Sequence, residues 1–208
     1  MNQNLYAILQ SNFPEDPDNQ QFAWLHDGRH YSYGQVDQVT ARFATALTEL
    51  GVKPGDRVAL FLKNAPEYLI AQYGAWYAGA AVVPINSKLH GREAAWIIEN
   101  AGADLVFTSP GLTGALATAD CPATCLDITS AEFAAIFDGA PLDRPVERDA
   151  DDLCWLFYTS GTTGRPKGVR ITNAMVMATS LAYPVDVDPV SYDDAALYSA
   201  PMSHGAGI

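Results

Sequence analysis

The sequence predicts an α/β fold, a mostly parallel sheet flanked by helices, and two observations carry that prediction. Short uninterrupted apolar runs recur along the chain, "RVALFL", "AVVPIN", "DLVFT" and "LCWLFYT", and amphipathic helical patterns stand between them. Strands covered on both faces have no polar side to show, so an unbroken apolar run between helices points to a parallel sheet with helices on each face.

Each element has its own local reason. Ser32 and Gln35 form a capping box, and Val36, Val39, Phe43, Leu47 and Leu50 then recur at helical spacing until Gly51 stops the run. Arg57 to Leu62 is the first strand of the alternating series; Asn64-Ala65-Pro66-Glu67 reads as a cap and is followed by a helical stretch to Gly79. Ala81 to Asn86 is the next strand, Ala94, Ile97, Ile98 and Ala101 line one face of the following helix, and Asp104 to Thr108 is a third strand. Residues 109–150 are less regular and end in "DRPVERDADD", read as a linker or surface crossing. Leu153 to Thr159 resumes as a strand, "VRIT" after the next loop is apolar and β-branched enough to be another, and a helix is expected from about Asn173 with that asparagine as its N-cap. A last strand is expected over "AALYSA", residues 195–200.

Composition narrows the function classes. The 208 residues are 49% hydrophobic and 17% charged, enough for a substantial core. A formal charge of −12 disfavours general attraction to nucleic acid or an anionic membrane surface, so an anionic ligand has to be held locally. Cys121, Cys125 and Cys154, with His26, His30, His90 and His204, show no zinc-ligand spacing and read as ordinary thiols and imidazoles. The N-terminus lacks a basic start followed by an apolar core, and no apolar run approaches the ~20 residues that span a bilayer, so no membrane insertion is expected and a cytoplasmic location is the default.

The stretch "YTSGTTGRPKGV", Tyr158 to Val169, concentrates the chemistry. An oligophosphate calls for a concave set of donors, close backbone approach and a cation. Gly161, Gly164 and Gly168 permit the approach, Thr159, Ser160, Thr162 and Thr163 supply hydroxyls, and Lys167 brings an ammonium behind Pro166. Between Tyr158 and Val185 lie three cations, Arg165, Lys167 and Arg170, and no carboxylate, whereas acids crowd the flanks from Asp149 to Asp152 and from Asp186 to Asp194. On an acidic protein that window reads as a local anion site. The bland alternative is a Gly/Thr-rich surface loop.

A Walker A loop is the nearest mechanical comparison, and the sequence departs from it twice. With Gly161 as the first glycine, Pro166 stands where the second belongs and Gly168 replaces the hydroxyl that would hold Mg²⁺. Such a loop also runs directly into a helix N-terminus, whereas "VRIT" here predicts a strand–loop–strand.

Three segments together carry a resemblance. "YTSGTTGRPKGV" resembles the phosphate-loop signature of the adenylate-forming (acyl-activating, AMP-dependent synthetase/ligase) superfamily. The stretch from "YSYGQVDQV" to "AAVVPIN" resembles the N-terminal part of those enzymes, and "APMSHGAGI" resembles their next core motif, Pro-x-x-His-x-x-Gly. The resemblance covers nearly the whole chain and is strongest to acyl-CoA synthetases.

What it implies is a ligase that uses ATP, Mg²⁺ and coenzyme A: a carboxylic acid, fatty or aryl, becomes an acyl-adenylate and then a thioester. Thr159, Ser160, Gly161, Thr162, Thr163, Gly164 and Lys167 would wrap the phosphates, Thr159 would neighbour Mg²⁺, and His204 would position the acid. Members of the superfamily are much longer, so residues 1–208 are expected to be a partial N-terminal domain without the C-terminal lid domain. The nucleoside pocket, the Mg²⁺ carboxylate and the catalytic lysine fall outside it. No catalytic residue is assignable in this chain, and the isolated fragment is expected to be inactive. Ile171-Thr172-Asn173 stands where such enzymes commonly carry a His-Asn pair. Two other readings stay open: a stand-alone nucleotide-binding or interaction module that kept only the phosphate loop, and a P-loop NTPase. Oligomeric state is open as well.

Overall fold

The computed structural model describes residues 2–25, 28–159, 165–191, 194–197 and 199–204. Its elements run α1 (Leu5–Ser11), β1 (Gln21–Trp24), β2 (His30–Ser32), α2 (Tyr33–Glu49), β3 (Arg57–Phe61), α3 (Pro66–Tyr77), β4 (Ala81–Pro84), α4 (Gly91–Ala101) and β5 (Leu105–Thr108). They continue with α5 (Leu112–Thr118), β6 (Thr124–Asp127), α6 (Ala131–Ala135), a 3-10 turn at Ile136–Asp138, β7 (Leu153–Thr159), β8 (Lys167–Thr172) and α7 (Asn173–Asp186).

Six strands form one sheet in the order β6-β5-β3-β4-β7-β8, parallel except for the antiparallel β7–β8 pair. β1 and β2 make a separate antiparallel hairpin. The expected mixed α/β architecture with a mostly parallel sheet is therefore the one observed.

Alternation along the strands divides the core into two layers. Val58, Leu60 and Leu62 join a cluster with residues of α1, α2, α3 and α6, while Ala59 and Phe61 join a second cluster with α4 and Leu116 of α5. β5 does the same, with Leu105 and Phe107 on one side and Val106 on the other. Both faces being covered, β3, β4 and β5 must be apolar throughout, which is the pattern that exposed them in the sequence.

The caps follow local chemistry. Ser32 Oγ accepts from Gln35 N at 3.1 Å and Ser32 N donates to Gln35 Oε1 at 2.8 Å, the expected capping box of α2. α4 carries a second one, with His90 N donating to Glu93 Oε2 at 3.1 Å and Arg92 N donating to His90 Nδ1 at 3.3 Å. At its other end Gly102 turns left-handed at φ 61°, and Arg57 donates to the carbonyls of Ala101 (2.9 Å) and Gly102 (2.6 Å), a cation on the negative end of the helix.

Several expectations are corrected. α7 begins at Asn173, but its N-cap is Thr172, whose Oγ1 accepts from Met175 N; Asn173 is buried and donates from Nδ2 to Asp149 O at 2.9 Å. Residues 109–150 contain α5, β6 and α6, and β6 pairs in parallel with β5 over four residues. The segment 142–148 is a strap tied at several points. Leu142 N donates to Ala41 O, Val146 N to Tyr77 O, and the buried Asn4 donates from Nδ2 to Trp76 O at 2.6 Å and Val146 O at 2.8 Å. Among the described residues of 195–200 there is no strand.

α3 crosses α2 closely because Gly74 has no side chain: a Cβ there would stand 2.5 Å from Phe43 Cδ1 and 3.0 Å from Phe43 Cβ. Replacing a helical glycine with alanine ordinarily gains about 1 kcal/mol, whereas overpacking a core costs about 1–3 kcal/mol. Because the clash includes the fixed Cβ of Phe43, the packing cost wins. Gly74→Ala is expected to lower stability by about 1–2 kcal/mol, read from the urea midpoint at unchanged slope.

Candidate functional site

All the parallel strands end at one edge of the sheet, and the strand order reverses there. The connection through α3 carries the chain from β3 to β4, and the connection through α4 carries it back past β3 to β5. Ligands of open α/β sheets sit outside the carboxyl ends of strands at such a reversal.

β7 and β8 deliver one half of the candidate site. Their register pairs Thr159 with Lys167, Tyr158 with Gly168, Phe157 with Val169, Leu156 with Arg170 and Trp155 with Ile171. A strand stands on each side of residues 160–164, as expected, and no helix N-terminus takes the place of β8. Directly opposed residues share a face and neighbours along a strand alternate. Thr159 and Lys167 therefore lie on the face of Phe157 and Trp155, and Tyr158 lies on the face of Leu156, toward α4. Core membership agrees: Trp155 and Ile171 pack with one cluster, Leu156 and Tyr158 with the other.

The same alternation divides the three cations of the acid-free window. Lys167 shares the Thr159 face, Arg170 opposes Leu156 on the other, and the Arg165 guanidinium carbon lies 5.9 Å from the centroid of Trp96, over the ring. The window read as one positive patch in the sequence is three separately directed charges in the fold. Gly168 has a packing role within the hairpin. A Cβ there would stand 3.2 Å from both Tyr158 Cζ and Leu156 Cδ1, so this glycine makes room for its neighbours on β7.

The second half comes from residues 200–204. The expected cap Asn64-Ala65-Pro66-Glu67 contains the start of α3: the N-cap is Ala65, which makes no side-chain cap bond, and Pro66 opens the helix. Asn64 donates from Nδ2 to Ala200 O at 2.7 Å and accepts at Oδ1 from Met202 N at 2.8 Å. It thus takes one backbone donor and one backbone acceptor, as a paired strand would, which explains how 200–202 are held without a strand. His204 N donates to Pro201 O at 2.9 Å, closing a turn, and the His204 ring meets Phe157 edge-on at 6.5 Å. Met202 and Ser203 are buried while His204 is exposed. The segment runs from the end of β3 to the end of β7 across the end of β4, which lies between them.

Of the predicted site residues, Thr159, Lys167 and His204 are described. The first two oppose each other, and His204 packs on the residue two before Thr159. Ser160, Gly161, Thr162, Thr163 and Gly164 lie outside the described residues. Sequence reasoning missed Asn64, Phe157 and Tyr158. The period of two along "LCWLFYT" marks the last two for opposite faces, but nothing in the sequence marks the pairing of Asn64 with a segment well over a hundred residues away.

Tyr158 links this edge to α4. Its hydroxyl donates to Asn100 Oδ1 at 2.7 Å, and its ring meets Trp96 edge-on at 6.2 Å. Burial pushes the Tyr158 phenol above its ordinary value.

Comparison with known proteins gives this geometry its context. A family model described as "AMP-binding enzyme" matches residues 9–208. A long-chain-fatty-acid–CoA ligase of Mycobacterium tuberculosis is 37% identical over 183 residues, 85% of this chain and 36% of that protein. A feruloyl-CoA synthase of Amycolatopsis is 36% identical over 183 residues, 88% of this chain and 36% of its own length. The crystal structure of ATP-bound MatB from Rhodopseudomonas palustris superposes with a TM-score of 0.89 at 28% identity, covering 100% of this chain and 42% of that one. The chain thus spans little more than a third of the length of the curated relatives it matches.

Asn64→Ala removes both bonds to the 200–202 backbone, each contributing about 0.5–1.5 kcal/mol. Amide exchange at Met202, followed by mass spectrometry, is expected to quicken at least about fivefold. Asn64→Asp keeps the acceptor for Met202 N and should retain part of the protection. Unchanged exchange in the alanine variant would count against the assignment.

Proposed function

The chain belongs to the AMP-binding enzyme family, and on that premise we propose that it serves the acid-activating half-reaction of an acid–thiol ligase. Its curated relatives above are ligases that join acids to coenzyme A. In this reading a carboxylate oxygen attacks the α-phosphorus of ATP, the bond from that phosphorus to its bridging oxygen breaks, and pyrophosphate leaves with the electron pair. The thiol of coenzyme A then attacks the acyl carbon, AMP leaves, and the thiol proton is released. A fatty or aryl acid is the substrate class that fits the relatives' names.

The hairpin register carries the reading. Lys167, opposite Thr159 at the carboxyl edge, is the cation on the face where His204 packs, so it can meet negative charge that grows on departing pyrophosphate. Thr159 and the hydroxyls and glycines of residues 160–164 would hold the remaining phosphate oxygens. His204, exposed at the end of a segment anchored through Asn64, would border the bound acid.

Mg²⁺ was tested against the same residues. Thr159 offers one neutral oxygen, whereas Mg²⁺ takes one or two carboxylates together with phosphate oxygens. No carboxylate lies between residues 158 and 185. These residues do not by themselves make a Mg²⁺ site.

The test is carboxylate-dependent exchange of labelled pyrophosphate into ATP by the full-length protein, across a panel of fatty and aryl acids. Losing a hydrogen bond between charged groups costs about 1.5–3 kcal/mol, so Lys167→Ala is expected to raise the KM for ATP or lower kcat about tenfold or more. The 208-residue chain alone is expected to give no exchange. Exchange that ignores the acid, or a Lys167→Ala variant as active as the parent, would overturn the reading. ATP binding without exchange by the full-length protein would favour a nucleotide-binding module instead.

A further inference from the structure

One face of α4 touches the chain on both sides of residues 160–164. Trp96 and Asn100 are four residues apart and so project from the same side of that helix. Asn100 accepts the Tyr158 hydroxyl at 2.7 Å, one residue before Thr159, and the Trp96 ring adds an edge contact to Tyr158 at 6.2 Å. Arg165, two residues before Lys167, lies over the same Trp96 ring at 5.9 Å. The two members of the Thr159–Lys167 pair are thus each secured, through a near neighbour, to one turn of one helix.

We propose that Trp96 and Asn100 are positioning residues that fix Thr159 and Lys167 for the ATP phosphates by holding Tyr158 and Arg165 against α4. The proposal rests on the reading of Thr159 and Lys167 as phosphate ligands.

α4 is suited to the task because it is itself fixed. Ala94, Ala95, Ile97, Ile98 and Ala101 bury its inner side, a capping box closes its start, and Arg57 closes its end. Trp96 is half-buried and packs against the edge of the second core cluster, and Asn100 is exposed. Gly168, opposite Tyr158, leaves the space in which that ring can lie. With Arg165 engaged on an aromatic face and Lys167 on the opposite side of the hairpin, the arginine serves as an anchor and the lysine as the ligand. Holding both ends beforehand means that less freedom is lost when the phosphates bind.

The experiment uses the full-length protein and separate KM values for ATP and for the acid. A cation–π contact or a single hydrogen bond at a partly exposed site corresponds to about three- to tenfold in affinity. Trp96→Ala and Asn100→Leu are each expected to raise the KM for ATP by that factor with the KM for the acid unchanged; Asn100→Leu should leave the melting temperature as it is, and Trp96→Ala should lower it through the packing it gives up. Trp96→Phe, which keeps an aromatic face, should recover most of the loss. Trp96→Ala combined with Arg165→Ala should be little worse than Trp96→Ala alone, because the tryptophan substitution already removes the arginine's contact.

An unchanged KM for ATP in both Trp96→Ala and Asn100→Leu, with Lys167→Ala still impaired, would overturn the positioning role alone. Lys167→Ala without effect would overturn the phosphate reading and this proposal together. Equal rises in both KM values with a lowered melting temperature would mark Trp96 and Asn100 as general structural residues and also overturn it.

Discussion

Alternation of side chains along β7 from Trp155 to Thr159 is the constraint on which this edge of the molecule depends. A strand buried between two helical layers has to send successive residues to opposite sides. Trp155, Phe157 and Thr159 therefore go one way, and Leu156 and Tyr158 the other. Because β8 pairs with β7 in register, the division passes to Lys167 and Gly168. One backbone rule thus sends Phe157 to the His204 ring, Tyr158 to α4 and Lys167 to the side of Thr159.

Around that strand the site is assembled from parts distant in the sequence. The carboxyl end of β3 contributes Asn64, the hairpin contributes Thr159 and Lys167, and residues 200–204 cross between them. A parallel sheet brings such parts together because its strands all finish at the same edge, and the reversal in strand order leaves that edge open between the flanking helices. Charge is arranged on the same scale. A chain of net −12 keeps carboxylates out of residues 158–185 and then directs its three cations differently, two of them away from the Thr159 face.

The sequence made the long elements legible and left the short or exceptional ones hidden. α2 and α4 carry apolar positions at plain helical spacing, α3 is a longer apolar stretch behind a proline, and β3, β4, β5 and β7 are short apolar runs. β6 is four half-exposed residues, "TCLD", with no pattern of its own; it exists because β5 offers an edge. "AALYSA" has the composition of a strand, but composition does not supply a partner, and Asn64 takes up the backbone groups of Ala200 and Met202. Asn173 illustrates one failure of local reasoning. It is a good capping residue, but its side chain is committed to the Asp149 carbonyl while Thr172 stands at the cap. Local preference is a prior that a long-range hydrogen bond readily outweighs.

The tie at Asn4 has a kinetic consequence. The pairings of β3 with β4 and β5 join neighbouring segments, whereas Asn4 reaches Val146 across 142 residues. Contacts that enclose long stretches of chain form after those that enclose short ones, and during synthesis the chain emerges from its N-terminus. The central strands can therefore associate while Val146 is still to be made. The first helix can meet the Trp76 carbonyl as soon as α3 has been made, whereas its tie to Val146 closes only after the central strands are in place.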